Sequence, residues 1–154
     1  MFELFRKKKP THGFNGDRFE LTKSEKFHVE RAFKLLEGYA VHESVAAKLE
    51  AGITARGLSD YANLNLYEYG EPSKKVGDLN IALSSLIKAY SIYSVPMYLY
   101  DIAICFGALH QPEQAKTYFS KFIKAQESFA PDQIDEVLIQ RDMKELMEHA
   151  RSQV

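Results

Sequence analysis

The side chains able to do chemistry are few and scattered. The five histidines, His12, His28, His42, His110 and His149, never fall at i, i+3 or i+4 from one another, so no helix face offers two imidazoles to a metal. His42-Glu43 opens as a zincin helix would, but Ala46 stands where the second His is needed. Asp132, Asp135 and Glu136 follow Pro131 at the start of a helical pattern, where negative charge complements the dipole; they are read as a cap. GEPSKKVG has Gly and Lys without the spacing of a phosphate-binding loop and with no strand before it, so it is read as a solvated turn. G-x-S-x-G is absent. No residue set compels a catalytic centre, a metal site or a cofactor, and the chain is read as a non-enzyme.

Cys105 is the only cysteine, which rules out an internal disulfide and fits a reducing, cytoplasmic compartment. Its neighbours Ile102, Ile104 and Phe106 supply no group to activate a thiol, so it is expected to be a buried hydrophobe. The net charge of −1 supplies no global field to recruit nucleic acid. Charge is nevertheless uneven. Residues 1–18 hold Arg6, Lys7, Lys8, Lys9 and Arg18 against Glu3 and Asp17, a local +3, and the rest of the chain carries −4. Residues 1–20 read as a flexible basic arm. Phe2, Leu4 and Phe5 followed by Arg6, Lys7, Lys8 and Lys9 form an apolar tip beside cations, read first as a solubilising tail or one whose Phe residues dock on the domain, and second as a weak membrane-surface contact. Its charges follow the apolar residues, unlike those of a secretory signal, and no apolar run approaches the ~20 residues of a membrane span.

The elements that must position any site are helical throughout. Thr22-Lys23-Ser24-Glu25 is a capping box, opening a helix with Val29, Ala32, Phe33, Leu36 and Ala40 along one face. A second helix is expected from about His42 to Ala51, with Gly52, Thr54 and Gly57 weakening continuity into the next. Leu99, Ile102, Ala103 and Phe106 form one stripe and Ala115, Phe119 and Phe122 another, separated by His110-Gln111 with Pro112 suited to a first helical turn. Leu58, Tyr61, Ala62 and Asn65 recur forty-one residues before the first stripe. Ala82, Leu86 and Ala89 recur thirty-three before the second. A longer turn, GEPSKKVGD at 70–78, absorbs the difference, with Asp78 as N-cap of the helix beyond. A final helix over 132–150 carries Ile134, Val137, Leu138, Leu146 and Ala150.

The spacing L-x2-I-A-x2-F followed by A-x3-F, with Ala103 and Ala115 at the helix crossing, resembles the tetratricopeptide repeat (TPR). The family's Trp is Leu99 here, its turn Gly is His110, and Phe122 replaces a usual small residue. The resemblance implies an all-α domain over 21–154. Antiparallel helix pairs at about 22–52, 55–93 and 96–128 stack as a short right-handed array with a capping helix at 132–150.

By the same resemblance, a partner peptide would lie in the groove lined by the first helix of each pair: Arg56, Ser59, Asn63 and Tyr67, then Met97, Tyr100, Ile104 and Ala108. The carboxylate clamp of chaperone-binding members is matched only at Asn63; Ser59 and Asp101 replace the others. The groove is instead aromatic and aliphatic, with Tyr67 and Tyr100 as its expected contact residues. The chain is therefore expected to be a protein- or peptide-binding adaptor or scaffold. A self-associating structural subunit is the second reading, and a small helical enzyme or ligand carrier the third.

Overall fold

The first helix begins as its capping box dictates. The Thr22 hydroxyl accepts the Glu25 N–H at 3.1 Å and Glu25 Oε1 accepts the Thr22 N–H at 2.8 Å. A computed structural model of the protein describes residues 2–3, 19–36, 40–41 and 43–154. Among these the fold is all-α, with seven helices packed against each other. They are α1 (Lys23–Leu35), α2 (Ala46–Leu66), α3 (Val76–Ile92), α4 (Met97–Ala108), α5 (Pro112–Glu127), α6 (Gln133–Leu138) and α7 (Met143–Ser152). A 3-10 turn, Glu43–Val45, leads into α2. Two short antiparallel ladders complete the elements: β1 (Phe2–Glu3) on β2 (Ala40–Val41), and β3 (Tyr67–Glu68) on β4 (Glu71–Pro72). Of the basic arm expected at 1–20, the backbone at Phe2 and Glu3 is thus paired; Leu4, Phe5, Arg6, Lys7, Lys8 and Lys9 lie outside the described residues.

The helix count agrees with the sequence reading only because two departures cancel. First, the break expected between 52 and 55 does not exist, and α2 runs unbroken. Gly52 and Gly57 serve close approach. A Cβ on Gly57 would lie 2.5 Å from Val29 Cα on α1, and one on Gly52 would lie 2.3 Å from Leu138 Cδ1 on α6. Each glycine costs a helix ~1 kcal/mol in propensity, yet each admits a neighbour that no other residue would.

Second, the helix expected over 132–150 is two. Ile139 turns extended, and the Asp142 carboxylate accepts the Lys144 and Glu145 N–H groups to start α7. Ile134 and Leu138 then face the core from α6, and Leu146, Met147 and Ala150 from α7.

The 70–78 segment also differs. Tyr69 and Gly70, both with positive φ (53° and 80°), make the two-residue turn of the β3–β4 hairpin. Ser73 is buried, and its N–H donates to the Leu66 carbonyl at 2.6 Å. α3 starts at Val76 with Lys75 at the cap position, so Asp78 lies in its first turn instead of capping it.

From α1 to α5 each helix packs on its neighbours in sequence, while α7 covers α5 and α6 returns to α2. Ala103 and Phe122 are fully buried at the α4–α5 contact. That pair is joined by a Schellman turn: Gln111 N–H donates to Phe106 O at 2.9 Å and His110 N–H to Gly107 O at 3.1 Å. His110 takes the left-handed conformation, φ 59°. Cys105 is buried as expected, and burial pushes its thiol up to about 12.

Candidate functional site

The eight residues expected to line the groove fall on two adjacent elements. Arg56, Ser59 and Asn63 stand on α2 with Tyr67 just beyond it, and Met97, Tyr100, Ile104 and Ala108 stand on α4. The chain's own C-terminal segment reaches two of the eight: Arg141 and His149 lie against Tyr100, and Arg141 also meets Tyr67. Ser59, Met97 and Tyr100 are buried, at 4%, 7% and 6% exposure. Arg56, Asn63, Tyr67, Ile104 and Ala108 are half-buried. A partner therefore cannot reach Tyr100 while residues 132–152 are in place.

The segment is held to the body by four polar contacts and one apolar one. At the near end, Lys48 pairs with Asp132, and the Tyr93 hydroxyl donates to Asp135 Oδ1. Leu138 then seats against Gly52. Further along, Arg141 Nη1 lies 2.8 Å from both carboxylate oxygens of Asp101, whose side chain is fully buried. The guanidinium also sits 5.5 Å from the Tyr100 ring centroid. Finally, the Tyr100 hydroxyl shares a 2.7 Å hydrogen bond with His149 Nδ1, the donor being set by the imidazole tautomer. The Tyr100 ring meets Phe119, Phe122 and His149 edge-on, at 5.7, 5.5 and 5.7 Å.

Electrostatics follow from this burial. Desolvation pushes the Asp101 carboxyl above the usual carboxylate range, and Arg141 pulls it only partly back. The Tyr67 phenol is raised by burial and further by Asp101, against the opposing pull of Arg141. Asn63 donates to Ser59 Oγ at 3.4 Å, while its buried Oδ1 has no hydrogen-bond partner among the described residues.

A different surface is open. Leu99 and Ile102 of α4, Ile87 and Tyr90 of α3, and Tyr118 and Ala125 of α5 line a cleft of about 600 Å³. Lys121 and Lys124 stand on its rim, with Lys121 Nζ 4.6 Å from the Tyr118 ring centroid. Among the described residues neither lysine pairs with a carboxylate. The shape follows from sequence spacing: Tyr118, Lys121 and Ala125 fall at i, i+3 and i+7 and so share a flank of α5.

The sequence reading singled out neither this cleft nor the Asp101–Arg141 pair. Asp101 was visible as a lone charge between Tyr100 and Ile102 in an otherwise apolar helix, a position that demands a counter-ion. Among the described residues no three His, Cys, Asp or Glu side chains group as a metal site, and no helix is long and apolar enough to cross a membrane. No family model matches this chain, and no curated protein or solved structure matches it either.

Proposed function

We propose that this protein is a protein- or peptide-binding module without catalytic activity, a TPR-like adaptor whose open docking surface is the α3–α4–α5 cleft. The observation that carries the reading is the pairing of an apolar floor with a cationic rim. Leu99, Ile102, Tyr90 and Tyr118 supply area for a large side chain, and among the described residues Lys121 and Lys124 lack a carboxylate partner. Aromatic side chains give contact area together with a hydrogen-bonding tip, and unpaired rim charges steer and orient a partner of opposite sign. The complementary ligand is an acidic segment with a Leu or Phe anchor. The buried, unactivated Cys105 is compatible with the cytoplasmic setting assigned to this adaptor.

Selection of a random peptide library on the full chain tests the proposal. Enriched peptides should carry Asp or Glu around a Leu or Phe. Their affinity should fall at least tenfold, ~1.4 kcal/mol, on Tyr118→Ala and on the double change Lys121→Glu with Lys124→Glu. Added salt should weaken binding to the native chain. Peptides that bind the folded lysine variant as tightly as the native chain would remove the cleft as the site.

A further inference from the structure

The residues that cover the α2–α4 face form a pattern. Asp135, Leu138 and Arg141 are spaced three apart, and each enters a receiving position on the body of the fold. The Tyr93 hydroxyl donates to Asp135. Gly52 leaves a notch that Leu138 fills, where any Cβ would come within 2.3 Å of Leu138 Cδ1. Asp101, fully buried on α4, takes both of its contacts from Arg141. We propose that the α2–α4 face is a recognition site for a D-x2-L-x2-R segment, and that residues 132–152 are its displaceable intramolecular ligand. The partner class is thus a short segment with an acidic residue and a leucine on one helical turn and an arginine three residues on, in extended chain beyond that turn.

Three features support a site that reads a ligand over packing alone. The receiving groups are dispersed over α2, the end of α3, and α4, and α3 packs on both α2 and α4. The arginine position is chemically specific. A carboxylate at the base and the Tyr100 ring beside it, 5.5 Å from the guanidinium, suit a planar cation that can both hydrogen-bond and stack; an ammonium would do the first only. The occupant, finally, is weakly held by its own helicity. α6 has six residues, too few to be stable in isolation, so its order depends on docking. Desolvation raises the Asp101 carboxyl, in keeping with a pocket that needs an incoming cation.

A synthetic peptide of residues 132–154, added in trans to the full chain, tests this. The native chain, its site filled in cis, should bind the peptide at least tenfold more weakly than the full-length Arg141→Ala chain. On that variant, a peptide carrying Arg141→Ala should bind at least tenfold more weakly than the native peptide. Adding Asp101→Asn to the variant should abolish the preference for arginine. If Arg141→Ala does not fold, Arg141→Lys takes its place: that chain should still capture the native peptide more tightly than the native chain does. Equal binding by native and variant chains, or equal binding of peptides with and without arginine, overturns the proposal. So does a variant that fills its site by pairing with a second copy, seen as a dimer by sedimentation with no peptide uptake.

Discussion

Two buried carboxylates tie distant parts of this molecule together, and they are treated differently. Glu25, at the start of α1, accepts the Thr22 N–H, the Ser85 hydroxyl at 2.7 Å and Lys88 Nζ at 2.7 Å. Asp101, in the middle of α4, is met by one cation, Arg141. Desolvation pushes both upward, but at Glu25 Lys88, the Thr22 N–H and Ser85 outweigh it and hold the carboxyl below its ordinary value. At Asp101 one guanidinium does not suffice. Hydrogen bonds to the charged form decide the direction, more than burial or the presence of a counter-ion. The first carboxylate joins α1 to α3 and the second joins α4 to the C-terminal segment, so the N-terminal tie is the better satisfied.

The largest effect should come from breaking the weaker tie. Arg141→Ala leaves Asp101 buried without a partner, a change that costs about 3 kcal/mol when one member of a buried pair is lost. The loss should be local, read as roughly a hundredfold drop in amide-exchange protection across α6 and α7, with α1–α3 little changed. Lys88→Met should cost less, about 2 kcal/mol for one charge-assisted bond, because Thr22 and Ser85 still serve Glu25. Its loss should appear in the urea midpoint of the whole domain. A uniform drop everywhere in the Arg141 variant would mean that the two ties belong to one cooperative unit.

Acid separates the two carboxylates by sign. Glu25 is lowered from its usual 4.5, so its contribution is full above that value and is lost as pH falls through the lower folded value. Asp101 is raised from its usual 3.8; the fold holds that proton more tightly than the unfolded chain, and its contribution declines as pH rises through the window above 3.8. Glu25→Gln should therefore flatten the loss of stability between neutral pH and pH ~3. Asp101→Asn should steepen it, since the opposing contribution disappears. Urea midpoints across that range that run parallel for Asp101→Asn and the native chain would contradict the raised carboxyl.

The smallest effect is a control that touches neither tie. His110 occupies a left-handed position at the end of α4, where a Cβ costs energy that Gly avoids. His110→Gly should raise stability by about 1 kcal/mol, seen as a higher Tm with the pH profile unchanged.

What the sequence makes legible follows the range of the forces involved. The Thr22–Glu25 box is a four-residue pattern, and it forms as read. The α4 and α5 stripes repeat within one or two turns and place Leu99, Ala103, Ala115, Phe119 and Phe122 in the core. The restart at Asp142 is equally local, but Leu138 and Leu146 lie eight apart and mimic a continuous face across it. Gly52 and Gly57 look like helix breakers because propensity is local, whereas the neighbours that require them, Leu138 and Val29, come from elsewhere in the chain. The repeat pattern places the groove residues on the helices seen as α2 and α4, with Tyr67 just beyond α2. The docking of the C-terminal segment is not legible, because the pairing of Asp101 with Arg141 spans forty residues and leaves no periodic trace.

The return of α6 onto α2 also sets an order of events. Neighbour-on-neighbour packing from α1 to α5 closes short loops and can proceed as the chain leaves the ribosome. The contact between Lys48 and Asp132 spans eighty-four residues, and loop closure of that length is entropically the most demanding step. Residues 132–152 emerge after α2 and α4 are already out. Until they dock, Asp101 lacks its guanidinium and the Tyr100 hydroxyl its imidazole, so the charge in the middle of α4 is the last in the body of the fold to be matched.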